Sequence, residues 1–342
     1  MENNIRTNSN LLLTKIQYII NNKETIIKTK IKMNICEYCK KECEFSYTYT
    51  NKEKNNNKIV IKELDIHKLE EHNIINIKLY TKLFKFNIPN IDYCLINTNS
   101  LNIIDGLYED GSNKKYIENS KNLFTSTMNR FSEHSGFIYF KNNKIDKIVV
   151  LNNSRVDKND PIIYMPQNSI EALKVDYIYH THPKTPYIGS RAEDGIIYEF
   201  PSISDILHYI EHHNSGRLLG SLIFAPEGIY IIHKYNLNRE KIKIDYDLMI
   251  KDLDNIYSMC YNESIDKYKD IENYKKNDNI KVPDNYFYHK ISLNFEYINN
   301  INKILKKYDL YIDYYPRIKL IDDNKDNNIY WIFPDIYVPL II

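Results

Sequence analysis

Apolar and polar positions sort the chain into short segments, and the clearest pattern lies between residues 175 and 210. The run Tyr177-Ile178-Tyr179 ends in His180-Thr181-His182-Pro183. It reads as a buried strand that stops where a proline can no longer donate to a ladder. Beyond it, Ile206, Leu207, Tyr209 and Ile210 recur at helical spacing behind Pro201-Ser202-Ile203-Ser204-Asp205. That spacing predicts a helix with Asp205 in its first turn. Residues 220–232 read as two strands around the Pro226-Glu227-Gly228 turn. Upstream, the pattern predicts strands at 146–152 and 161–165, a short helix at 169–173 and a helix over 119–131. Alternation in Ile75-Asn76-Ile77-Lys78-Leu79-Tyr80 predicts short strands and loops through 75–115. Nearer the ends come a short amphipathic helix at 11–20 and helices at 246–257 and 291–308. Aromatic, strand-like segments at 310–315 and 329–342 are assigned to the core. The order of elements predicts a mixed α/β layer with a helix on each side of the sheet.

Composition narrows the picture. A chain of 342 residues is long enough for two domains and a sizeable core. Its net charge of +1, with 27% charged residues, supplies no global field for nucleic acid or membrane. No apolar run reaches 18 residues, and Met1-Glu2-Asn3-Asn4 lacks the plan of a signal peptide. Five cysteines, three of them clustered at Cys36, Cys39 and Cys43, do not form a secreted disulfide framework. The expectation is a cytoplasmic, reducing setting with no membrane partner. The wealth of Asn, Ile and Lys is what an AT-rich genome writes, as in some large DNA viruses or protozoa. No Gly-rich phosphate loop, nucleotide fingerprint or Gly-X-Ser-X-Gly elbow is present.

The candidate chemistry lies where strand and helix meet. Residues i and i+2 of a strand face the same side, so His180 and His182 present two imidazoles together. With the Asp205 carboxylate they can form a three-ligand zinc site whose fourth position is open to water. Each half also has a plainer reading, as a packed histidine pair and as a capping box, Ser202-X-X-Asp205. In this order the pieces resemble the JAMM (MPN-plus) metalloprotease family, whose pattern is Glu, then His-Ser/Thr-His-Pro, then Ser-X-X-Asp. Glu133-His134-Ser135-Gly136 is similar to that family's Glu-X-X-Gly ahead of an apolar strand. The resemblance covers roughly residues 115–235. It departs from the family in the 22 residues between His182 and Asp205, a longer gap than usual, so that 184–200 bulges as a loop beside the site. Asp194 is a rival ligand, but Ser190 precedes it by four and Gly195 follows it, so Asp205 is preferred. Tyr139 and Phe140 stand where the family has a second glycine.

The resemblance implies an MPN/JAMM-like sheet of the cytidine-deaminase type, layered with flanking helices. It implies zinc-dependent hydrolysis of isopeptide bonds that join ubiquitin or a ubiquitin-like protein to lysine. His180, His182 and Asp205 would be the ligands, Glu133 the general base, and Ser202 the donor to the oxyanion. A catalytically inactive scaffold of the same fold, or a metallopeptidase acting on another peptide bond, stands as an alternative.

A second motif lies upstream. Cys36-Glu37-Tyr38-Cys39, followed by His67 and His72 on a predicted helix, resembles a Cys2His2 zinc finger with a lengthened spacer. One zinc could fix a segment too small to hold itself together. A nucleic-acid-binding finger is the rival reading, but Glu70 and Glu71 beside Lys68 favour a structural or protein-binding one. The chain is thus divided into a tail or helix (1–30), a zinc finger (31–80), a protease-like domain (81–240) and an α+β extension (241–342).

Overall fold

The computed structural model describes residues 4–6, 10–21, 26–51, 57–84, 91–112, 115–117, 128–130, 133–142, 144–151, 170–182, 198–268, 286–322 and 328–341. The chain divides into two units, residues 1–92 with 341–342, and residues 93–340.

The first unit runs β1 (Asn4–Arg6), α1 (Asn10–Asn21), β2 (Ile26–Ile35), β3 (Glu42–Asn51), β4 (Asn57–Lys62), α2 (Glu63–His72), β5 (Ile74–Asn76) and α3 (Ile77–Phe84). Strands β2, β3 and β4 form an antiparallel sheet, and β1 pairs with β5. Leu12, Ile16 and Ile19 line one stripe of α1 and are fully buried, packing that helix near α2 and α3. Lys15 is buried with them, and its Nζ donates to the Leu83 carbonyl at 3.0 Å, in the last turn of α3. That carbonyl has no partner within its own helix, so the lysine satisfies it. Burial pushes the Lys15 ammonium down to about 8.

The second unit contains β6 (Ile91–Ile96), α4 (Thr98–Ser112), β7 (Lys115–Ile117), β8 (Met128–Arg130), β9 (Ser135–Lys141), β10 (Lys144–Val150), β11 (Tyr177–Thr181) and α5 (Ile203–Ser215). It continues with β12 (Gly220–Phe224), β13 (Gly228–Lys234), α6 (Tyr246–Tyr268), α7 (Glu296–Leu305), β14 (Leu310–Pro316), β15 (Ile318–Asp322), β16 (Asn328–Ile332) and β17 (Ile336–Ile341). Six strands form the central sheet in the order β10-β9-β11-β12-β13-β14. Only β11 and β12 are parallel within it. A parallel pair needs a crossover, and α5 supplies it. On one face, Ile178, Ile223, Ile232 and Ile312 pack under Ile206 and Ile210 of α5, Leu253 of α6 and Ile301 of α7. On the other, α4 lies near β11 and β12, and Phe224 meets the rings of Tyr179 and Phe333. The architecture is mixed α/β, and the strand carrying the histidines is central and buried at all five positions.

Several elements differ from the sequence pattern. Residues 75–115 hold two helices, α3 and α4, where alternation predicts strands and loops. The buried residues of α4, Leu101, Ile104, Tyr108 and Gly111, follow the helical period. Only 74–76 of the alternating run is extended. Within the helix expected over 119–131, Met128–Arg130 is a strand whose backbone pairs with Lys115–Ile117. Long-range pairing has won there over local propensity. The rest of that span and the strand expected at 161–165 lie outside the described residues. The segment read as an extension supplies β14, which adds a sixth strand to the central sheet beside β13. No helix among the described residues is long and apolar enough to cross a membrane.

Candidate metal centres

Two groups of donor atoms converge among the described residues, His180 with His182 and Asp205, and Cys36 with Cys39, His67 and His72. The first assembles at the carboxy-terminal end of β11. His180 is the fourth residue of that strand, and His182 follows it with its N–H bonded to the Phe224 carbonyl at 2.8 Å. Asp205 arrives from the first turn of α5. Ser202 caps that helix: its Oγ accepts from the Asp205 N–H at 3.2 Å, while its own N–H and Oγ donate to Asp205 Oδ2 at 2.6 and 2.9 Å. This capping box orients the carboxylate and places it at the positive end of the helix.

The distances within the group are informative. The two histidine Nε2 atoms lie 3.0 Å apart, with Asp205 Oδ1 3.3 Å from His180 Nε2 and Oδ2 3.5 Å from His182 Nε2. Tetrahedral ligands about 2.0–2.1 Å from one zinc ion are separated by about 3.3 Å, so these separations are close to those of a metal-ligand set. All three residues are buried. Burial opposes ionisation of Asp205, but the charge and hydrogen bond of His180, then His182 and the Ser202 N–H, hold its carboxyl well below the usual range. An ionised carboxylate beside two imidazoles is what a divalent cation requires.

Ser135 of β9 pairs with His180, and the ladder continues as Thr181 N donates to the His134 carbonyl at 2.9 Å. Glu133 is the residue before His134, two residues ahead of β9, beside the end of the histidine strand. Thr181 points away from the two histidines, where its Oγ accepts the His134 N–H at 2.9 Å and clamps the glutamate's segment to the histidine strand. The middle residue of His-Thr-His thus has a structural task of its own. Gly136, the glycine of the Glu-X-X-Gly pattern, is equally constrained. A Cβ there would lie 1.9 Å from the Val149 carbonyl oxygen and 2.7 Å from the Tyr179 ring.

Some of the surroundings carry no local signal in the sequence. His134 Nε2 lies 3.2 Å from Asp110 Oδ2 of α4, a pairing across 24 positions of chain. His208, one turn along α5 from Asp205, has both ring nitrogens buried without a hydrogen-bond partner among the described residues. Burial, then the charges of His212 and His180, lower it to about 3, so it stands neutral next to the group. Its spacing of three from Asp205 is the only feature that could have marked it. Residues 183–197 lie outside the described residues, which includes Asp194 and most of the 184–200 insert; the donor group is completed by Asp205.

The second group is built by a knuckle and a helix. Cys36 and Cys39 lie in the turn between β2 and β3, closed by Cys36 N to Lys41 O at 2.8 Å and Lys40 N to Cys36 O at 2.9 Å. Lys40 takes the left-handed conformation, with φ of 63°, that tightens it. The long spacer before the histidines holds β4, after which α2 begins at once and presents His67 and His72. Cys39 Sγ lies 3.0 Å from His67 Nε2, and His72 Nε2 is buried without a hydrogen-bond partner among the described residues. Two thiols, two imidazoles and an unsatisfied ring nitrogen fit a tetrahedral Cys2His2 zinc. Lys68 on the outside of α2 is ion-paired with Glu37 at 2.7 Å, so its charge is already engaged.

One curated relative, "Uncharacterized protein R413" of Acanthamoeba polyphaga mimivirus, is 38% identical to the chain over 269 residues, covering 78% of the chain and 70% of that protein. No family model matches, and no solved structure matches.

Proposed function

The chain belongs to the family of the mimivirus protein R413, and we propose that its second unit is an MPN-type, zinc-dependent isopeptidase acting on ubiquitin or ubiquitin-like conjugates. The observation that carries the reading is the convergence of His180, His182 and Asp205 at separations close to those of zinc ligands. Zinc held there would lower the pKa of a water toward about 7 and polarise a carbonyl. Glu133 takes a proton from the attacking water and returns one to the leaving lysine amine. Ser202, whose hydroxyl now donates to Asp205, turns to the developing oxyanion, a contact type worth roughly 3 kcal/mol in a transition state. His180 and His182 act as neutral imidazoles, so acid competes with the metal for them and activity falls as the pH is lowered.

In the first unit, Cys36, Cys39, His67 and His72 hold a structural zinc that ties the β2–β3 knuckle to α2. Zinc content measured alongside cleavage of a panel of ubiquitin-like lysine conjugates tests the whole reading. Cleavage by the zinc-loaded chain, abolished by chelation and restored by zinc, is expected. Zinc bound at the His180 group with no conjugate cleaved would instead leave a metal-holding scaffold.

A further inference from the structure

The turn between β12 and β13 contains a carboxylate that the reaction does not use. Glu227 is 0% exposed. Neither the turn nor the tight approach of Gly228 to the Tyr315 carbonyl requires a charged side chain at that position. A buried carboxylate costs several kcal/mol unless its oxygens are hydrogen-bonded. Glu227 Oε1 accepts from the Tyr230 hydroxyl at 2.7 Å and from the Glu199 backbone N–H at 2.9 Å. The carbonyl of that same Glu199 lies 3.2 Å from His182 Nδ1. A carbonyl can only accept, so His182 must carry its proton on Nδ1 and keep the Nε2 lone pair for the donor group.

We propose that Glu227 is a positioning residue for His182, acting through the backbone of Glu199, whose N–H meets Glu227 and whose carbonyl, in the following peptide, meets His182. This rests on reading the His180 group as a zinc site. The backbone segment concerned is held on both sides of Glu199: Tyr198 donates to the Ile291 carbonyl at 3.0 Å, and Tyr257 to the Pro201 carbonyl at 2.5 Å. Both partners come from beyond residue 241, which gives the carboxy-terminal helices a part in fixing a ligand. Of Tyr198, Tyr257 and Glu227, it is Glu227 that bonds to the Glu199 backbone itself, at its N–H. Hydrogen-bond partners of this kind set the tautomer and ring orientation of a ligating histidine, and their loss costs about 10–100-fold in metal affinity.

The test is cobalt(II) titration of the full chain, in which thiolate charge-transfer bands report the Cys36 group separately from the His180 group. Glu227→Ala should weaken cobalt binding at the thiolate-free site by about 10–100-fold and leave the thiolate bands unmoved. Glu227→Gln, whose amide oxygen still accepts both hydrogen bonds, should stay within about threefold of the parent. Equal affinity in all three chains overturns the role of Glu227. If the alanine variant does not fold, the His182 tautomer read by long-range ¹H–¹⁵N NMR on the unsubstituted chain decides. A proton on Nδ1 supports the proposal, and one on Nε2 overturns it. Failure of the unsubstituted chain to take cobalt at the thiolate-free site overturns the isopeptidase reading and this one with it. Uptake there that ignores Glu227→Ala removes this one alone.

Discussion

A histidine serves as a ligand only when one ring nitrogen is kept available, and an aspartate only when it stays ionised; both conditions are met here by ordinary local devices. The strand alternation that aligns His180 with His182, and the capping box that turns Asp205, are short-range patterns, which is why these three were legible in the sequence. Glu227 and Asp110 were not, because their partners lie 28 and 24 positions away and nothing local marks them. Glu133 is suggested by its motif, two residues ahead of the strand that pairs with the histidine strand. Its substitution separates catalysis from binding. Glu133→Gln should keep zinc at the His180 group and lower turnover by about 10²–10⁴, measured as zinc stoichiometry and single-conjugate cleavage rates side by side. An unchanged rate rejects it as the base, and lost zinc makes it a ligand. Lys15 supports a prediction of a different kind. Its folded pKa is about 8 against 10.5 in the open chain, so between those values the unfolded state binds the extra proton. Stability therefore rises with pH across that window, and the cost of the buried charge is borne in full below pH 8. The gain is roughly 1–3 kcal/mol after discounting for residual solvation. Urea unfolding at pH 8 and pH 10 should show an increment in the parent chain that is missing from Lys15→Met.

At the scale of elements, the sequence was readable where one period dominated and misleading where two overlapped. Ile75 to Tyr80 alternates, yet Leu79 and Leu83 also stand four apart and both are buried, and the helix prevails from Ile77 onward. The strand β14 was visible as a strand, but its place beside β13 depends on Leu310–Pro316 meeting Gly228–Lys234 across some eighty positions. No local pattern encodes such a pairing. Close packing across the histidine strand explains two other features. Tyr179 lies over Gly136 of β9 and Tyr177 over Gly220 of β12, so each glycine makes room for an aromatic ring from β11. Gly136→Ala must displace a carbonyl oxygen 1.9 Å from the new Cβ, and no side-chain rotation relieves that. The expected cost is about 2–4 kcal/mol, read as a lowered denaturant midpoint with an unchanged slope. An alanine variant as stable as the parent would mean that β9 and β10 part more easily than their pairing indicates.

Among the described residues there are two donor groups, one in each of the two units, and each is drawn from residues of its own unit. That arrangement has a thermodynamic consequence. Metal binding to a group whose ligands come from separate elements is folding free energy for the unit that contains it. In the first unit the knuckle between β2 and β3 is joined to α2 by the Lys68–Glu37 ion pair, by the Tyr38 ring against His72 and by the approach of the four donors. An exposed ion pair contributes at most about 1 kcal/mol, so a metal held by the four donors would add substantially to the tie between those elements. In the second unit the His180 group sits on a six-stranded sheet with an extensive core, and the fold there has far less need of the ion. The purified chain should accordingly hold two zinc ions. Replacing Cys36 and Cys39 together by serine should remove one, lower the melting temperature of the first unit, and leave conjugate cleavage and the second zinc intact. The complementary change, Asp205→Ala, should remove the other zinc and abolish cleavage while the first unit melts as before. Metal analysis and calorimetry on both variants check the pair. Loss of both ions from either variant would show that the two groups do not bind independently, and a single ion untouched by the cysteine changes would remove the metal from the first unit altogether.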